Sequence, residues 1–321
     1  MTSKKILEPK PLFVERMQKL LGKDFGDYME ILKKEPRRSI RCNKLKISPE
    51  ELKKRLEEKG WKIKQPFKEH GEIMVIESKL EPGELGRSLE HLLGYYYIQE
   101  IASMLPIIAL KPKPEETVLD LCAAPGSKTT QMAAEMENRG TIISNEISLR
   151  RMKILASNLE RSGVTNAIIT KKEGLALCLK LKKAGFEFDK ILVDAPCSGE
   201  GTLRSSPKTY KMWNIHSVKK LSRIQKNLAE AAFEILKKDG EMIYSTCTHS
   251  PEENEEIVDF LLEKFGENIK IEKISIPIEP RKGIRKWEEK EYAEDVKFSC
   301  RVYPQDNDTE GFFLAKFRRI G

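Results

Sequence analysis

The sequence predicts an α/β fold: a doubly wound, mostly parallel sheet with an antiparallel hairpin at one edge, preceded by a small α+β module. Three observations carry this. From Thr117 to Cys247 apolar strand segments alternate with amphipathic helical segments, the rhythm of a parallel sheet with crossover helices. After Ile269 the strand-like segments have no helices between them, which fits antiparallel pairing. Ahead of Pro112 the order is strand, helix, strand, strand, with turn signals of its own.

In chain order, Leu12, Phe13, Met17, Leu20 and Leu21, then Phe25, Tyr28, Met29 and Leu32, have the spacing of two short amphipathic helices, an N-terminal cap. A strand over Ser39–Asn43 leads to a helix with Ser48 as cap, Pro49 in its first turn and Gly60 past its end. Strands follow near Trp61–Ile63 and Ile73–Ile76. This order suggests a ferredoxin-like or RNA-recognition-type module. Its basic run of Arg37, Arg38, Arg41, Lys44 and Lys46 fits phosphate contacts and a solvated face equally well. Leu89–Leu110 reads as an apolar, helical join between domains, and its Tyr95, Tyr96 and Tyr97 suit core packing or the stacking of a base.

The large sheet is expected to use strands Thr117–Leu121, Thr141–Ser144, Ala167–Thr170, Lys190–Val193 and the segment leading to Cys247. Helices are expected from Ser127, over Ser148–Ser162 closed by Gly163, around Leu175–Lys183 and over Val218–Leu236. The tail contributes Ile269–Ser275, Phe298–Tyr303 and Phe312–Phe317, with Pro280–Glu294 as a charged loop.

A net charge of +8 over 321 residues favours a polyanionic partner. The six cysteines, Cys42, Cys122, Cys178, Cys197, Cys247 and Cys300, form no CxxC pair and no His/Cys cluster, so no metal is expected. Without secretory n- and h-regions the expected compartment is reducing and cytoplasmic, and no apolar run approaches the roughly 18 residues of a membrane span.

The chemistry-bearing loops lie at strand ends. Tyr244–Pro251 is a strand running into Cys247 and then, by the capping-box spacing of Ser250 and Glu253 with Pro251 at the first helical position, into a helix. Cys247 thus stands at the carboxyl edge of the sheet, where open α/β sheets bind ligands; a lone cysteine there is as readily a small core residue. The first strand enters Cys122-Ala123-Ala124-Pro125-Gly126-Ser127-Lys128-Thr129, whose small residues let backbone amides approach a ligand. A P-loop is excluded, because Ser127 stands where glycine must precede Lys128. Glu146, ending the second strand, is placed for ribose hydroxyls, and Glu173 after the third lies near an adenine edge. These point to an adenosine-type cofactor, with both NAD and S-adenosylmethionine allowed, although no GxGxxG appears. Asp194–Thr202 adds Cys197 at the neighbouring strand end, and two thiols facing one cleft beside an acid suggest covalent chemistry.

Taken together, Asp120–Thr129, DAPCSGEGT over Asp194–Thr202, STCTHSPEENE over Ser245–Glu255, and the Arg301–Pro304 and Thr309–Phe313 pieces resemble the Nop/Sun family of RNA cytosine-5 methyltransferases. The resemblance implies a Rossmann-like S-adenosylmethionine-dependent methyltransferase sheet over residues 111–321. Residues 1–110 would be the helical cap and RNA-binding module. It further implies cofactor contacts from Cys122, Ala123, Ala124, Pro125, Gly126, Ser127, Lys128, Glu146, Glu173 and Asp194, with Arg151 adding another. Cys247 would attack carbon 6 of the base, Cys197 would assist adduct release, and Asp194 would face the N3 edge. Lys128 and the helix N-terminus after Ser250 are the candidates for activating the thiol. The implied partner is RNA, with a lean to tRNA over ribosomal RNA, handled by a monomer. A non-catalytic RNA-binding or ribosome-assembly factor is the rival reading. Departures from the family pattern are Ser127 for a commoner glycine, Glu146 and Glu173 for aspartates, and Gln305 for histidine.

Overall fold

Two amphipathic helices, α1 (Pro11–Leu21) and α2 (Phe25–Leu32), open the computed structural model, which describes residues 9–321. Phe13, Met17, Leu21 and Tyr28 are buried against Leu203, Tyr210, Trp213, Val218 and Tyr303, so this cap sits on the large domain rather than on the small module.

The module follows as β1 (Arg38–Cys42), α3 (Pro49–Glu58), β2 (Ile63–Lys64), β3 (Ile73–Ile76), α4 (Glu84–Arg87), α5 (Leu89–Leu92) and β4 (Tyr96–Ile98). Ser48 Oγ accepts from the Glu51 N–H at 3.2 Å, the cap its sequence position predicts. The antiparallel order β2-β3-β1-β4 places β3 between β1 and β2, the split arrangement of ferredoxin-like modules.

The apolar stretch from Leu89 is not one helix. At Gly94 φ is +74°, and a Cβ there would lie 1.9 Å from the Arg161 carbonyl, so only glycine lets the chain turn. Tyr96–Ile98 then pairs with Ile40–Cys42, where aromatic and β-branched side chains suit a strand. Tyr96 and Tyr97 are core residues at 1% and 8% exposure, whereas Tyr95 is half-buried against the Arg55 guanidinium. Helix α6 (Ile101–Leu110), capped by Glu100 accepting from Ala102 N–H at 2.6 Å, is buried on nearly every side. It packs against Ile73 and Val75 of the small sheet and against Val302 and Leu314 of the large one.

Each member of the basic run has a partner within the chain, and of the five only Arg41 is buried. Arg41 is 2% exposed; it bonds Gln99 Oε1, the Ser127 carbonyl at 2.7 Å and Thr130 Oγ1 at 2.8 Å. Arg37 pairs with Asp308, Arg38 donates to the Leu80 carbonyl, Lys44 pairs with Glu135, and Lys46 donates to the Leu93 and Arg161 carbonyls. Arg41→Ala leaves several buried acceptors unpaired, so it is expected to lower unfolding free energy by about 2–3 kcal/mol in urea melts. A loss within roughly 0.5 kcal/mol, the range of an exposed surface residue, would contradict this placement.

The large domain alternates β5 (Thr117–Asp120), α7 (Ser127–Glu135), β6 (Thr141–Asn145), α8 (Leu149–Ser162), β7 (Ala167–Thr170), α9 (Gly174–Lys183), β8 (Phe188–Asp194), α10 (Thr209–Met212), α11 (Ile215–Phe233) and β9 (Leu236–Thr246). It continues with α12 (Glu255–Phe265), β10 (Ile269–Glu272), β11 (Arg281–Lys282), β12 (Lys286–Trp287), β13 (Lys290–Glu291), β14 (Cys300–Val302), α13 (Pro304–Asn307) and β15 (Phe312–Arg319). The sheet runs β11-β14-β15-β9-β8-β5-β6-β7, parallel from β9 to β7, with β10 also pairing β15. The tail is antiparallel as expected, but β15 lies inside the sheet. Phe313, Leu314, Ala315 and Phe317 are buried, so this strand needs β9 on one side and β10 and β14 on the other. The segment expected as a charged loop holds the β12–β13 pair, with Trp287 5% exposed in the core under the Arg16 guanidinium. The chain leaves β5 for β6 on one side and reaches β8 on the other, and at such a switch point the carboxyl ends open into a crevice.

Candidate active site

Parallel pairing of β8 with β9 sets Asp194 opposite Ser245, so the loops that follow run side by side. The consequence is a sulfur pair: Cys197 Sγ and Cys247 Sγ are 3.2 Å apart, and both cysteines are free. The Gly201 N–H donates to the Cys247 carbonyl at 2.9 Å, and a Cβ on Gly201 would come within 2.3 Å of the Gly311 carbonyl oxygen. The neighbouring Cys247 sulfur, then burial, push the Cys197 thiol well above its ordinary range. Cys197 is therefore held in the thiol form beside Cys247.

Asp194 takes a hydrogen bond from Ser245 Oγ at 2.7 Å and an ion pair from Lys128 Nζ at 2.8 Å. Lys128 also donates to Ser103 Oγ at 3.1 Å and lies over the Phe312 ring, so its charge is committed to Asp194 rather than aimed at a thiol. The other expected activator is absent in the expected form. Pro251–Glu253 is a single 3₁₀ turn, Ser250 makes no cap, and α12 begins only at Glu255. Buried carboxylates have taken the groups a capping box needs. Ser250 Oγ donates to Glu200 Oε1 at 2.7 Å, and Glu253 Oε2 accepts from the Ser198 N–H at 3.0 Å and Gln225 Nε2 at 2.8 Å. Burial, then Glu200, pushes the Glu253 carboxyl up to about 7.

Beside the thiols a cleft of about 320 Å³ is lined by Cys122, Ala124, Glu146, Arg151, Glu173, Asp194, Cys197 and Cys247, together with Asn145, Ile147, Gly174, Pro196 and Ile224, among others. Ala123, Pro125, Gly126, Ser127 and Lys128, expected as cofactor contacts, are not part of this lining. Gly126, at φ +106°, sets the turn into α7, and a Cβ there would meet Leu155 Cδ1 at 2.9 Å. Glu146 Oε1 accepts from Ser148 N–H at 2.8 Å, while Oε2 lies 3.2 Å from Arg151, whose other arm donates to the Ala124 carbonyl at 2.5 Å. Glu173 caps α9 through Leu175 and Ala176 N–H groups at 3.1 and 2.8 Å. Below the loop, burial pushes the Asp120 carboxyl up to about 7 although Thr129 Oγ1 donates to it at 2.7 Å. Three carboxylates facing small residues suit a cationic ligand that carries ribose hydroxyls, as S-adenosylmethionine does.

Sequence reasoning did not single out Asn145, Gln225 or Glu200, took Glu253 only as a helix-capping residue, and did not see Arg301 as a structural anchor. The one available signal was the density of acids in Glu252, Glu253, Glu255 and Glu256, which reads locally as helix-start charge. Arg301 forks onto Glu255, at 2.5 Å through Nε, and donates to the His249 carbonyl and Tyr303 hydroxyl, both at 2.9 Å. His249 stacks on Tyr303, and burial, then Arg301, pulls it down to about 3, which keeps it neutral.

Among the described residues no helix is long and apolar enough to cross a membrane, and no group of three or more His, Cys, Asp or Glu residues is placed to hold a metal ion. Residues 107–318 match the model of the 16S rRNA methyltransferase RsmB/F family, and residues 10–101 match the N-terminal domain of 16S rRNA methyltransferase RsmF. The chain is 44% identical over 308 residues to a tRNA (cytosine(49)-C(5))-methyltransferase of Pyrococcus abyssi, with 95% of each chain covered. It is 38% identical over 317 residues to ribosomal RNA small subunit methyltransferase F of Vibrio cholerae, covering 97% of this chain and 64% of that relative's length. A methyltransferase homolog from Pyrococcus horikoshii superposes with a TM-score of 0.85 at 34% identity, covering 97% of this chain and 95% of that one. NSun6 from the same organism, solved with SFG, superposes at 0.81 with 25% identity, covering 97% of this chain and 98% of that one. The chain thus belongs to the RsmB/F, or Nop/Sun, methyltransferases.

Proposed function

We propose that this chain methylates carbon 5 of a cytosine in tRNA, with Cys247 as the attacking group and Cys197 as the group that assists release. The observation that carries the reading is the pair of free sulfurs 3.2 Å apart at the mouth of a carboxylate-lined cleft. The lean to tRNA is supported by the Pyrococcus abyssi relative, matched end to end, whereas the chain spans only 64% of the Vibrio cholerae ribosomal RNA enzyme.

Carbon 5 of cytosine is a poor nucleophile. Attack of the Cys247 sulfur on carbon 6 pushes electrons into the ring and makes carbon 5 nucleophilic. Bound S-adenosylmethionine supplies the electrophilic methyl, and Glu146, Arg151, Glu173 and the Cys122–Lys128 loop hold it. The Lys128–Asp194 pair presents a hydrogen-bonding edge to the N3 side, where negative charge develops. For release, Cys247 is bonded to carbon 6 and no longer raises its neighbour, so Cys197 gives its proton to solvent and as thiolate accepts the carbon-5 proton; the carbon 5–hydrogen pair closes the ring double bond, and the carbon 6–Cys247 bond breaks with its pair on sulfur. The target base must leave its stack to reach the cleft. The division at residue 110 is proposed at the end of α6, and the working state is proposed as a cytoplasmic monomer.

Bisulfite sequencing of RNA from cells with and without the gene tests the substrate. The expected result is a cytosine in tRNA that loses protection when the gene is deleted. Loss of protection in 16S ribosomal RNA instead would establish the second reading.

A further inference from the structure

The sheet brings the two loops side by side, but both cysteines lie beyond the last paired residues, so contacts between the loops must hold the separation of the sulfurs. Glu253 is the residue placed to do it. It lies in the turn after Cys247, fully buried, and its side chain reaches back to the other loop. Its Oε2 accepts from the Ser198 N–H at 3.0 Å and from Gln225 Nε2 at 2.8 Å, and the same Gln225 nitrogen donates to the Pro196 carbonyl at 2.8 Å. The residues on both sides of Cys197 are therefore held by one carboxylate and one amide. The Cys247 side is held as firmly: Tyr244 Oη donates to the Glu253 carbonyl at 2.6 Å, and Asn254 Nδ2 donates to the Thr248 carbonyl at 3.0 Å. A hydroxyl contact of 2.7 Å between Ser198 and Thr248 closes the bridge beside the thiols.

We propose that Glu253, with Gln225 as its partner, is a positioning residue for the release half of the reaction, holding the Cys197 loop so that its sulfur stays against Cys247 and the base adduct. This rests on the reading of Cys197 as the release-assisting group. Glu253 does not line the cleft and is not a catalytic residue. It serves geometry: a misplacement of about 1 Å in a group that must act on a neighbouring bond can cost on the order of 100-fold. A carboxyl suits the place because its single oxygen Oε2 takes both donors.

The test uses purified full-length protein with S-adenosylmethionine and RNA from cells lacking the gene, and it reads covalent enzyme–RNA adduct on denaturing gels alongside turnover. Glu253→Ala is expected to slow turnover by about 10- to 100-fold and to raise adduct by roughly 10-fold over the wild type. Glu253→Gln keeps an acceptor oxygen and is expected to recover most of the turnover. Adduct that accumulates distinguishes positioning from simple loss of structure, since a damaged protein forms less adduct, not more. Cys197→Ala is the reference. Accumulation in Cys197→Ala without accumulation in Glu253→Ala overturns the proposal and leaves the release role standing. Absence of adduct in Cys197→Ala overturns the release role and the proposal with it. Should Glu253→Ala fail to fold, Gln225→Ala, which removes the shared donor to the Pro196 carbonyl and Glu253 Oε2, decides the matter by the same gain or lack of adduct.

Discussion

With Cys247 in the proposed attacking role, Cys247→Ala is expected to reduce methyl transfer to background, a loss of roughly 10⁴-fold or more, because no group would then make carbon 5 nucleophilic. S-adenosylmethionine affinity, measured by calorimetric titration, is expected to change by less than about 3-fold. The geometry separates the two effects. The cofactor-side lining is contributed by the strand ends of β5 to β8, through Cys122, Glu146, Glu173 and Asp194, whereas Cys247 enters the cleft from the end of β9. A variant that binds cofactor normally and still turns over would move the attacking role away from Cys247. Cys197, held in the thiol form by its neighbour, would then be the group to examine.

Arg301→Ala is expected to cost about 3–5 kcal/mol in denaturant unfolding, the largest stability effect of any single change considered for this chain. Both members of the pair are buried, Arg301 at 2% and Glu255 at 0% exposure, so removing the guanidinium leaves a carboxylate with no counter-charge and no solvent. The same guanidinium holds the His249 carbonyl, two residues beyond Cys247, so turnover is expected to fall as well. Replacing both partners with apolar residues, as in Arg301→Met with Glu255→Leu, is expected to restore most of the stability, since a buried ion pair and a packed apolar pair are often nearly equal. Its failure to recover activity would separate the loop-anchoring part of the effect from the folding part. A single-variant loss below about 1 kcal/mol would mean that water reaches Glu255.

Much of the frame is legible in the chain because it is written in local spacing. Ala167–Thr170 is the expected strand, Gly163 closes α8 in the left-handed conformation, and Ser48 caps α3. The order of strand ends also brings Cys197, Cys247 and Asp194 to one cleft with Glu146 and Glu173, since side-by-side parallel strands carry their loops to a common edge.

Local spacing misleads where a residue's partner lies far along the chain. Arg41 reads as part of a basic face, yet it is buried on the Ser127 carbonyl and Thr130. Ser250 and Glu253 have capping-box spacing, yet Glu200 and Ser198 compete for them and win, because an unpaired buried carboxylate costs more than an open helix end that a 3₁₀ turn can close. Tyr96–Ile98 reads as helix until β1 offers it a ladder.

The sequence by itself determined the period and order of the elements and the placement of each thiol at a strand end, because these depend on contacts within a few residues, and it carried the family pattern in its motifs. Only the tertiary structure decided which buried polar groups pair: Lys128 with Asp194, Glu253 with Ser198 and Gln225, and Arg301 with Glu255. Desolvation makes each such group take the best partner within reach of the folded chain, and that partner is set by packing rather than by sequence distance.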